Sequence, residues 1–373
     1  MSDVGAATLP AVAVEDLMRL SQRLSPVFAK LAGHDLLITG GGGFLGYYLV
    51  QAPLHWNAAN PEALPIRVSV HDAFVRGMPG WLQSLDDPAL TVVERDVLSP
   101  LPADAPRFDF VIHAASIASP TYYRRYPIQT MDANVGGLRL LLDHAADRAT
   151  AGEPLRGLLF FSTSEIYGDP DPANIPTSET YRGLVSCTGP RACYDESKRF
   201  GETLSVNYAE QRDVPVTIVR PFNNYGPGLR IDDRRVIPDF ARDILAGRDI
   251  ELLSDGSATR TFCYVADAVD GYYRALVEGR RGEPYNIGAD RPEISMREVA
   301  ERMAAIGRRL VGYQGGVVVG ASDDPDYLTD NPNRRCPVID KARAELGYDP
   351  EVDLDEGLER ALRWYLAEQE VAA

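Results

Sequence analysis

Residues 36–50 read LLITGGGGFLGYYLV, and this stretch decides the fold. Its first four residues predict a short buried strand, and the residues from Tyr47 onward have helical potential. Between them, Gly40, Gly43 and Gly46 fit the pattern Gly-x-x-Gly-x-x-Gly. In such a unit the glycines allow a tight turn, the approach of a pyrophosphate to backbone amides, and close helix–strand packing. A glycine run alone is also typical of a flexible loop, but the flanking strand and helix favour a dinucleotide-binding turn.

The next predicted strand, Ile66 to His71, ends at Asp72. An acidic residue there can accept hydrogen bonds from both ribose hydroxyls of NAD, and it would repel the extra phosphate of NADP. Asp72 follows Gly46 by 26 residues, a long gap that we attribute to a polar, proline-containing insert at 51–65. We therefore predict NAD as the cofactor, with an ordinary solvated turn carboxylate as the alternative for Asp72.

Strands and helices alternate along the first 225 residues, which indicates parallel pairing with right-handed crossovers. Further strands are predicted at 90–94, 108–113, 156–161 and 214–220. The expected fold class is α/β, a Rossmann-type doubly wound parallel sheet with a smaller C-terminal substrate-binding lobe. We predict an N-terminal helical extension at 1–33, an NAD-binding domain at 34–225 and the lobe at 226–373, of which 263–288 could complete the sheet.

Candidate functional residues follow the predicted strands, because open α/β sheets bind ligands at the carboxyl ends of their strands. Hydroxyls and a carboxylate, Ser162 to Glu165, come after the strand at 156–161. The small residues Ala114 and Ala115 follow the strand at 108–113 and would let a cofactor lie against it. After the strand at 90–94, Asp96-Val97 are expected to contact the adenine.

Tyr194 and Lys198, in RACYDESKRFGETL, stand four residues apart and share one face of a predicted helix. A tyrosine hydroxyl beside a fixed ammonium ionises below its unperturbed pKa of about 10. Such a tyrosine can remove a proton from a sugar or alcohol hydroxyl near neutral pH. The same spacing is common on solvated helices, so the functional interpretation depends on the glycine turn and on the polar strand ends.

Composition excludes several classes of partner. The chain has 373 residues, a net charge of −16 and a pI near 4.8, which argues against nucleic acid and anionic membranes. Its four cysteines lack metal-ligand or disulfide spacing, so free thiols in a reducing cytoplasm are expected, without a metal. No apolar run reaches the roughly 18–20 residues that span a bilayer. We expect a soluble cytoplasmic protein.

Six features in one order resemble the extended short-chain dehydrogenase/reductase family of NAD-using nucleotide-sugar epimerases, dehydratases and decarboxylases. They are TGGGGFLG, Asp72, HAAS, STSEIYGDP, YDESK and RPFNNYGP. Within that family, ASPTYYRRYPIQT, GPRACYDESKR, DGSATRTFCYVAD and NPNRRCPVIDKARAELGY are similar to the UDP-glucuronate decarboxylases. The resemblance implies a lobe for a UDP-sugar and a homodimer formed by helices near 126–150 and 193–212.

The resemblance also implies two sets of binding residues. The expected NAD contacts are Gly40, Gly43, Phe44, Leu45, Gly46, Asp72, Asp96, Val97, Ala114, Ala115, Thr130, Tyr194 and Lys198. The expected substrate contacts are Tyr123, Glu165, Asn223, Arg235, Arg260 and Arg335, of which Asn223, Arg235 and Arg335 are expected at the UDP moiety. A surface salt bridge is the alternative for Arg260, and a packing aromatic is the alternative for Tyr123.

For catalysis, the resemblance implies that Tyr194 takes the proton of the sugar 4-hydroxyl while hydride passes from C4 to NAD. Lys198 would bind the nicotinamide ribose and keep the pKa of Tyr194 low, and Thr163 would hydrogen-bond the 4-oxygen. The resulting 4-keto group is β to the C6 carboxylate, so loss of carbon dioxide needs little beyond positioning and oxyanion stabilisation. The bound NADH would then reduce the keto group to give the pentose.

Two further residues distinguish the possible reactions. Glu165 is the candidate acid/base or water-positioning group near C5 and C6, and Arg260 is expected near the carboxylate. Ser164 stands where the resembling 4,6-dehydratases carry an aspartate that protonates the departing C6 hydroxyl, so dehydration is disfavoured. Departures from the pattern, such as Gln129 for lysine, leave release of UDP-4-keto-pentose open. The alternatives are a UDP-sugar 4-epimerase and a non-catalytic NAD-binding regulatory protein.

Overall fold

The computed structural model describes residues 9–102, 105–322 and 329–372. The strands in these ranges are β1 Asp35–Thr39, β2 Arg67–Asp72, β3 Leu90–Glu94, β4 Phe110–His113, β5 Gly157–Phe161, β6 Val216–Pro221, β7 Asn224–Tyr225, β8 Ile250–Leu252, β9 Thr259–Arg260, β10 Cys263–Tyr264, β11 Pro284–Ile287, β12 Ile294–Ser295, β13 Val317–Val319 and β14 Arg334–Arg335.

The helices are α1 Ala11–Arg23, α2 Ser25–Leu31, α3 Gly46–Ala59, α4 Gly80–Gln83, α5 Pro120–Arg125, α6 Pro127–Met131, α7 Leu138–Thr150, α8 Ala192–Arg212, α9 Val236–Leu245, α10 Val265–Glu278, α11 Met296–Val311, α12 Asp340–Leu346 and α13 Leu354–Ala372. A π-helical turn, Asp132–Gly137, joins α6 to α7, and a 3₁₀ turn, Ser164–Tyr167, follows β5.

Seven of the described strands form one parallel sheet in the order β11-β6-β5-β4-β1-β2-β3. The chain runs outward in both directions from β1, so the strand order reverses between β1 and β4. A crevice that can hold a ligand opens at such a reversal, outside the carboxyl ends of the strands. The predicted α/β fold class, a doubly wound parallel sheet, is confirmed.

Two hydrophobic cores lie on opposite faces of this sheet, because successive side chains of a strand point to opposite sides. Leu36 and Ile38 of β1 join the core that α3 and α10 cover. Leu37, between them, joins the core that α7 and α8 cover. Strands β4 and β5 are buried along their whole length, as is usual for parallel strands covered on both faces.

The C-terminal third contributes to the sheet and also builds smaller sheets beside it. Strand β11 pairs with β6, and α10 packs on β5 and β6. Outside the main sheet, β9 pairs with β12 and with β14. The register of the last pair sets Arg335 beside Arg260, so two predicted substrate residues stand next to each other.

One segment differs from the sequence expectations. The supposed polar insert at 51–65 is largely helical, because α3 continues to Ala59 with Pro53 inside it. Burial of Leu54 and Trp56 accounts for this, since tertiary packing outweighs the local cost of the proline. The N-terminal extension consists of two helices, α1 and α2, which are separated at Leu24. Pro26 lies in the first turn of α2, where its missing N–H is not needed.

Candidate active site

The glycine turn after β1 is built so tightly that side chains are excluded from two positions. Gly40 has a φ of +75°, and a Cβ there would lie 2.6 Å from the Ala115 backbone. A Cβ on Gly46 would lie 2.0 Å from the carbonyl oxygen of Gly41. At Gly43 the nearest atom would be the Gly40 oxygen at 3.2 Å. This narrow turn leads directly into α3, and it fits the diphosphate of a dinucleotide.

Asp72, at the end of β2, lies against this turn. Its Oδ2 accepts a hydrogen bond from Gly42 N at 2.9 Å, and its Oδ1 accepts one from Phe74 N at 2.8 Å. These two bonds fix the carboxylate at the end of the strand, next to the crevice. The ribose contact predicted for Asp72 is compatible with this position and stays a prediction.

Some of the other residues predicted to contact NAD adjoin the glycine turn, and others bond locally. Phe44 and Leu45 immediately precede α3, and the Ala114 amide bonds to the carbonyl of Thr39, so these residues adjoin the turn. Val97, in the loop after β3, packs against Gly137. Two residues use their polar groups locally: exposed Asp96 caps Leu98 N at 2.9 Å, and buried Thr130 donates to the Tyr126 carbonyl at 2.7 Å.

Tyr194 and Lys198 lie on α8, against the end of β5. Lys198 Nζ donates to the Phe161 carbonyl at 2.7 Å and lies 5.8 Å from the centre of the Tyr194 ring. The Tyr194 ring stacks on that of Tyr123, with centroids 4.9 Å apart and planes 8° apart. Thr163, which precedes the 3₁₀ turn after β5, hydrogen-bonds to Tyr194. The structure therefore brings Tyr194, Lys198 and Thr163 together.

The ionisation of this pair differs from the expectation. Burial raises the pKa of Tyr194 to about 12, although its hydrogen bond with Thr163 acts in the opposite direction. Burial also lowers the pKa of Lys198 to about 7. The expectation that Lys198 keeps the pKa of Tyr194 below its ordinary value is therefore wrong for the protein residues alone, because burial disfavours both charges.

Glu165 is held by two arginines. Arg335 donates from Nη1 to Oε1 and from Nη2 to Oε2, each at 2.6 Å, and Arg191 donates from Nη2 to Oε2 at 2.5 Å. Burial alone would raise the pKa of Glu165, but attraction to Arg191 and Arg335 outweighs it and holds the pKa at about 2. Glu165 is therefore a fixed carboxylate near neutral pH. Neighbouring Ser164 is buried in the same 3₁₀ turn.

Arg260 lies beside Arg335 but bonds to the backbone. Its guanidinium donates to the carbonyls of Thr259 at 2.7 Å and Asn333 at 3.1 Å, and to the carbonyl of Pro332. Burial, followed by repulsion from Arg335, lowers the pKa of Arg260 to about 9. Arg260 thus fixes the segment that leads into β14, and its expected contact with a substrate carboxylate stays a prediction.

Two further substrate candidates, Asn223 and Arg235, contact neighbouring residues of the protein. Asn223, in the left-handed region with a φ of +43°, donates to the Thr261 carbonyl at 2.8 Å. Arg235 Nε lies 2.9 Å from an Asp233 oxygen, and the guanidinium stands 6.0 Å from the centre of the Phe44 ring. Arg235 therefore adjoins the start of α3, on the side of the predicted cofactor.

Sequence reasoning missed two residues of this cluster. Arg191 lies three residues before Tyr194, and the need of a buried Glu165 for compensating charge was a signal that could have indicated such a partner. Asp195, the residue after Tyr194, is buried, and one of its carboxylate oxygens has no hydrogen-bond partner among the described residues. Burial, followed by repulsion from Glu165, raises the pKa of Asp195 to about 8.

Three further features concern metal binding, membrane spans and thiols. In the described ranges, no three His, Cys, Asp or Glu side chains are grouped closely enough to hold a metal ion. Among the helices that the structure describes, none has both the length and the apolarity to cross a bilayer. Cys187, Cys193, Cys263 and Cys336 are free thiols.

The sequence is similar to one protein family and to named relatives. A profile of the NAD dependent epimerase/dehydratase family matches residues 36–288. UDP-glucuronic acid decarboxylase 6 of Arabidopsis thaliana is 37% identical over 324 residues, which cover 87% of this chain and 86% of that protein. UDP-glucuronic acid decarboxylase 1 of Xenopus tropicalis is 35% identical over 362 residues, which cover 96% of this chain and 79% of that protein.

Solved structures with similar folds include two that cover nearly the whole chain. A dTDP-glucose 4,6-dehydratase from Streptomyces venezuelae, solved with NAD bound, superposes with a TM-score of 0.76 and 28% identity over 90% of this chain and 98% of that one. The epimerase Mth375 of Methanothermobacter thermautotrophicus superposes with a TM-score of 0.77 and 26% identity over 93% and 96% of the two chains.

Proposed function

The chain is an enzyme of the NAD dependent epimerase/dehydratase family, the extended short-chain dehydrogenases/reductases, and from this premise we propose that it decarboxylates UDP-glucuronic acid. The product would be UDP-xylose, reached through a UDP-4-keto intermediate, with UDP-4-keto-pentose as a second product if that intermediate is released. Curated relatives with this activity in their names support the proposal along most of the chain. The dehydratase neighbour, solved with NAD bound, supports the use of this cofactor.

The observation that carries the choice of substrate is the arginine cluster beside Tyr194. Arg260 and Arg335 are both buried and lie side by side on β9 and β14. Arg335 shares the Glu165 carboxylate with Arg191, and Arg260 forms no ion pair with a carboxylate that the structure describes. A buried excess of positive charge is costly unless an anion compensates it. A uronate adds a carboxylate to the diphosphate that every UDP-sugar carries, whereas a neutral hexose adds no charge. The cluster therefore favours a uronate over UDP-glucose.

The residues around the crevice fit the cofactor of this family. The glycine turn and the start of α3 would hold the diphosphate, Asp72 would accept from the ribose, and Lys198 would bind the nicotinamide ribose. When bound, NAD accepts a hydride from the sugar and later returns it. Every other step depends on side chains of this chain.

Tyr194 is the proposed base for the 4-hydroxyl. Because burial holds its pKa near 12, it needs positive charge nearby before it can take a proton at neutral pH. Lys198 can supply part of that charge, since its pKa of about 7 leaves a substantial fraction protonated. Thr163 would hydrogen-bond the same 4-oxygen, as the resemblance implies. Proton transfer by one positioned side chain contributes about 10²–10⁴-fold to such reactions.

Glu165 was expected to act either as an acid/base or as a water-positioning group, and its two arginine partners favour the second role. With a pKa near 2, its carboxylate does not carry a proton at neutral pH, so it is unsuited to act as the acid itself. An ionised carboxylate can still accept a hydrogen bond from a water molecule and orient it. We therefore assign Glu165 to positioning, and we assign contact with the substrate carboxylate to Arg260, which stands beside Arg335.

One incubation tests the proposal. The protein is mixed with NAD and UDP-glucuronic acid labelled with ¹³C at C6, and labelled carbon dioxide and the sugar nucleotides are measured. A decarboxylase releases one carbon dioxide per pentose formed, and UDP-glucose gives no product. Isomerisation without carbon dioxide would indicate the 4-epimerase, and binding of NAD without turnover of any UDP-sugar would indicate the regulatory protein. Borodeuteride trapping shows whether the 4-keto-pentose is released.

A homodimer and a cytoplasmic location remain proposals. Apolar side chains are exposed on two packed helices: Ile128 is 64% exposed on α6, and Phe200 is 50% exposed on α8. These helices lie in the ranges expected to form the dimer. Light scattering should give twice the chain mass for the wild type and the single mass for a Phe200→Asp variant, while Met18→Asp, at a similarly exposed apolar residue on α1, remains dimeric. A wild type of single-chain mass would contradict this proposal.

A further inference from the structure

Arg191, which the sequence analysis did not select, contributes one of three hydrogen bonds that hold Glu165. Arg335 forms the other two. The side chains of both arginines are only 9% exposed, and that of Glu165 is 17% exposed. Hydrogen bonds between charged groups in such surroundings are short and about twice as strong as neutral ones. Removal of either arginine should therefore change the state of Glu165.

The place of Arg191 in the chain gives it a role that Arg335 does not have. Arg191 immediately precedes α8, and its carbonyl accepts hydrogen bonds from Tyr194 N at 3.0 Å and from Asp195 N at 3.1 Å. Its guanidinium also stands 5.9 Å from the centre of the Tyr123 ring, which stacks on Tyr194. Arg335, by contrast, belongs to β14, outside the main sheet. Of the two arginines, Arg191 is therefore the one that connects Glu165 to the helix that carries the proposed base.

We propose that Arg191 is a positioning residue, which keeps Glu165 ionised and fixed relative to Tyr194 so that the carboxylate orients a water molecule or substrate group. Only the catalytic consequence rests on the proposed function, because the contact with Glu165 exists without the reaction. Glu165 is the one carboxylate among the described residues that forms an ion pair with Arg191, and Arg191 Nε has no partner among them.

Other ionisable groups also face Glu165, and the test must account for them. They are Tyr194 and Asp195 on α8, Tyr123 on α5, Arg260 on β9 and Arg335 on β14. Arg191 lowers the pKa of Asp195 as well as that of Glu165. Loss of Arg191 should therefore raise both pKa values, and a Glu165→Gln variant is needed to identify which carboxyl signal belongs to Glu165.

The first experiment observes Glu165 directly, without substrate. Protein labelled with ¹³C at the glutamate side-chain carboxyl is titrated by NMR, and the signal absent from Glu165→Gln is followed. In the wild type we expect this signal to stay at its ionised position from pH 8 to pH 4. In Arg191→Met it should titrate within this range, and Arg191→Lys should restore the ionised state. A control variant, Arg139→Met, removes an exposed arginine of α7 that pairs with Asp143, and should behave like the wild type. A signal in Arg191→Met that remains ionised to pH 4 would overturn the proposal.

The second experiment separates positioning from substrate binding. In Arg191→Met we expect kcat for carbon dioxide release to fall at least tenfold, with KM for UDP-glucuronic acid and the Kd of NAD within about threefold of the wild type. Arg191→Lys should recover part of the loss, and it provides the comparison if Arg191→Met does not fold. A raised KM with unchanged kcat would make Arg191 a substrate contact and contradict the inference. If the wild type releases no carbon dioxide, the proposed function fails, whereas the NMR titration still decides the role of Arg191.

Discussion

Tyr194 and Lys198 are both buried, and burial favours the neutral form of each side chain. The pKa of the phenol is raised to about 12, and that of the amine is lowered to about 7. The protein therefore does not store a phenolate–ammonium pair, although the two side chains lie on one face of α8. Positive charge added near the phenol would lower its pKa, as the proposed role of Tyr194 as the base requires.

Replacing Tyr194 with phenylalanine tests its role as the base. Tyr194→Phe keeps the stacking on Tyr123 and removes only the hydroxyl, so we expect turnover of UDP-glucuronic acid to fall by about 10²–10⁴-fold. The Kd of NAD should change by less than about threefold. Steady-state kinetics and fluorescence titration with NADH measure the two quantities. The control is Tyr208→Phe on the same helix, whose hydroxyl bonds to Asp143, and unchanged turnover in Tyr194→Phe would remove Tyr194 from the mechanism.

The buried Lys198 should lower the free energy of unfolding of the protein. Its folded pKa of about 7 lies below the unfolded value of about 10.4, so between these values the unfolded chain binds more protons. Stability contributed through this group therefore rises with pH from about 7 to about 10. Lys198→Met should be inactive yet more stable at pH 7, by roughly 1–3 kcal/mol after loss of the bond to Phe161.

Urea unfolding at pH 7 and pH 9.5 checks this prediction. The gain in Lys198→Met should be smaller at pH 9.5, where the wild-type lysine costs less. The matched control is Lys30→Met, because Lys30 is 57% exposed and paired with Glu278, so its loss should have little effect at either pH. A gain of equal size at both pH values would show that burial of the amine is not the cause.

At the scale of elements, two loops meet over the glycine turn. A Cβ on Gly42 would lie 2.9 Å from the Phe74 ring, so the loop after β2 packs on the turn. A Cβ on Gly228 would lie 2.5 Å from Cβ of Tyr47, so the loop before α9 packs on the start of α3. Arg76 joins the two loops through ion pairs with Asp232 at 3.0 Å and Asp233 at 3.4 Å.

This connection should slow the departure of the cofactor. If the loops must part before the dinucleotide leaves, Arg76→Ala should raise the dissociation rate of NADH by about 5–20-fold, because the ion pairs and the contact with Tyr122, at 4.8 Å, are lost together. Stopped-flow displacement of NADH by excess NAD measures this rate. Arg67→Ala breaks a comparable ion pair, with Asp35, at the other end of β2. Equal rates in the two variants would show that Arg76 does not retain the cofactor.

What could be predicted from the sequence depended on how local each signal was. The strand, glycines and helix at 36–50 follow one another, so the dinucleotide turn was readable from spacing alone. The extent of α3 was not, because burial of Trp56 against Phe28 depends on a helix elsewhere in the chain. Glu165 was selected, but its partner Arg335 is 170 residues away, and no periodicity reports such a pair.

At the scale of the whole molecule, the N-terminal helices join parts that the sequence assigned to different units. Asp16 of α1 accepts hydrogen bonds from Tyr48 of α3 and Tyr264 of β10, each at 2.5 Å. It also pairs with Arg360 of α13 at 3.2 Å. The helix that starts at the glycine turn and the last helix of the chain are thus linked through α1. We expect α1 and α2 to unfold together with the rest of the protein.

Phe28 of α2 provides the test of this expectation. It is fully buried, and its ring meets that of Tyr273 edge-on, with centroids 4.9 Å apart. Phe28→Ala should lower the free energy of unfolding by about 3–5 kcal/mol, because it leaves a cavity between α2 and α10. Met18→Ala, at a residue of α1 that is 52% exposed, should change it by less than about 0.5 kcal/mol.

The way in which Phe28→Ala unfolds distinguishes one cooperative unit from an appended helix pair. If α1 and α2 belong to the main core, the urea midpoints followed by circular dichroism and by tryptophan fluorescence should shift down together and remain coincident. If they fold separately, Phe28→Ala should produce an early, small transition, and the main midpoint should stay where the wild type has it. The second result would show that α1 and α2 are an appended extension, because α3, the helix that starts at the glycine turn, would then be stable without them.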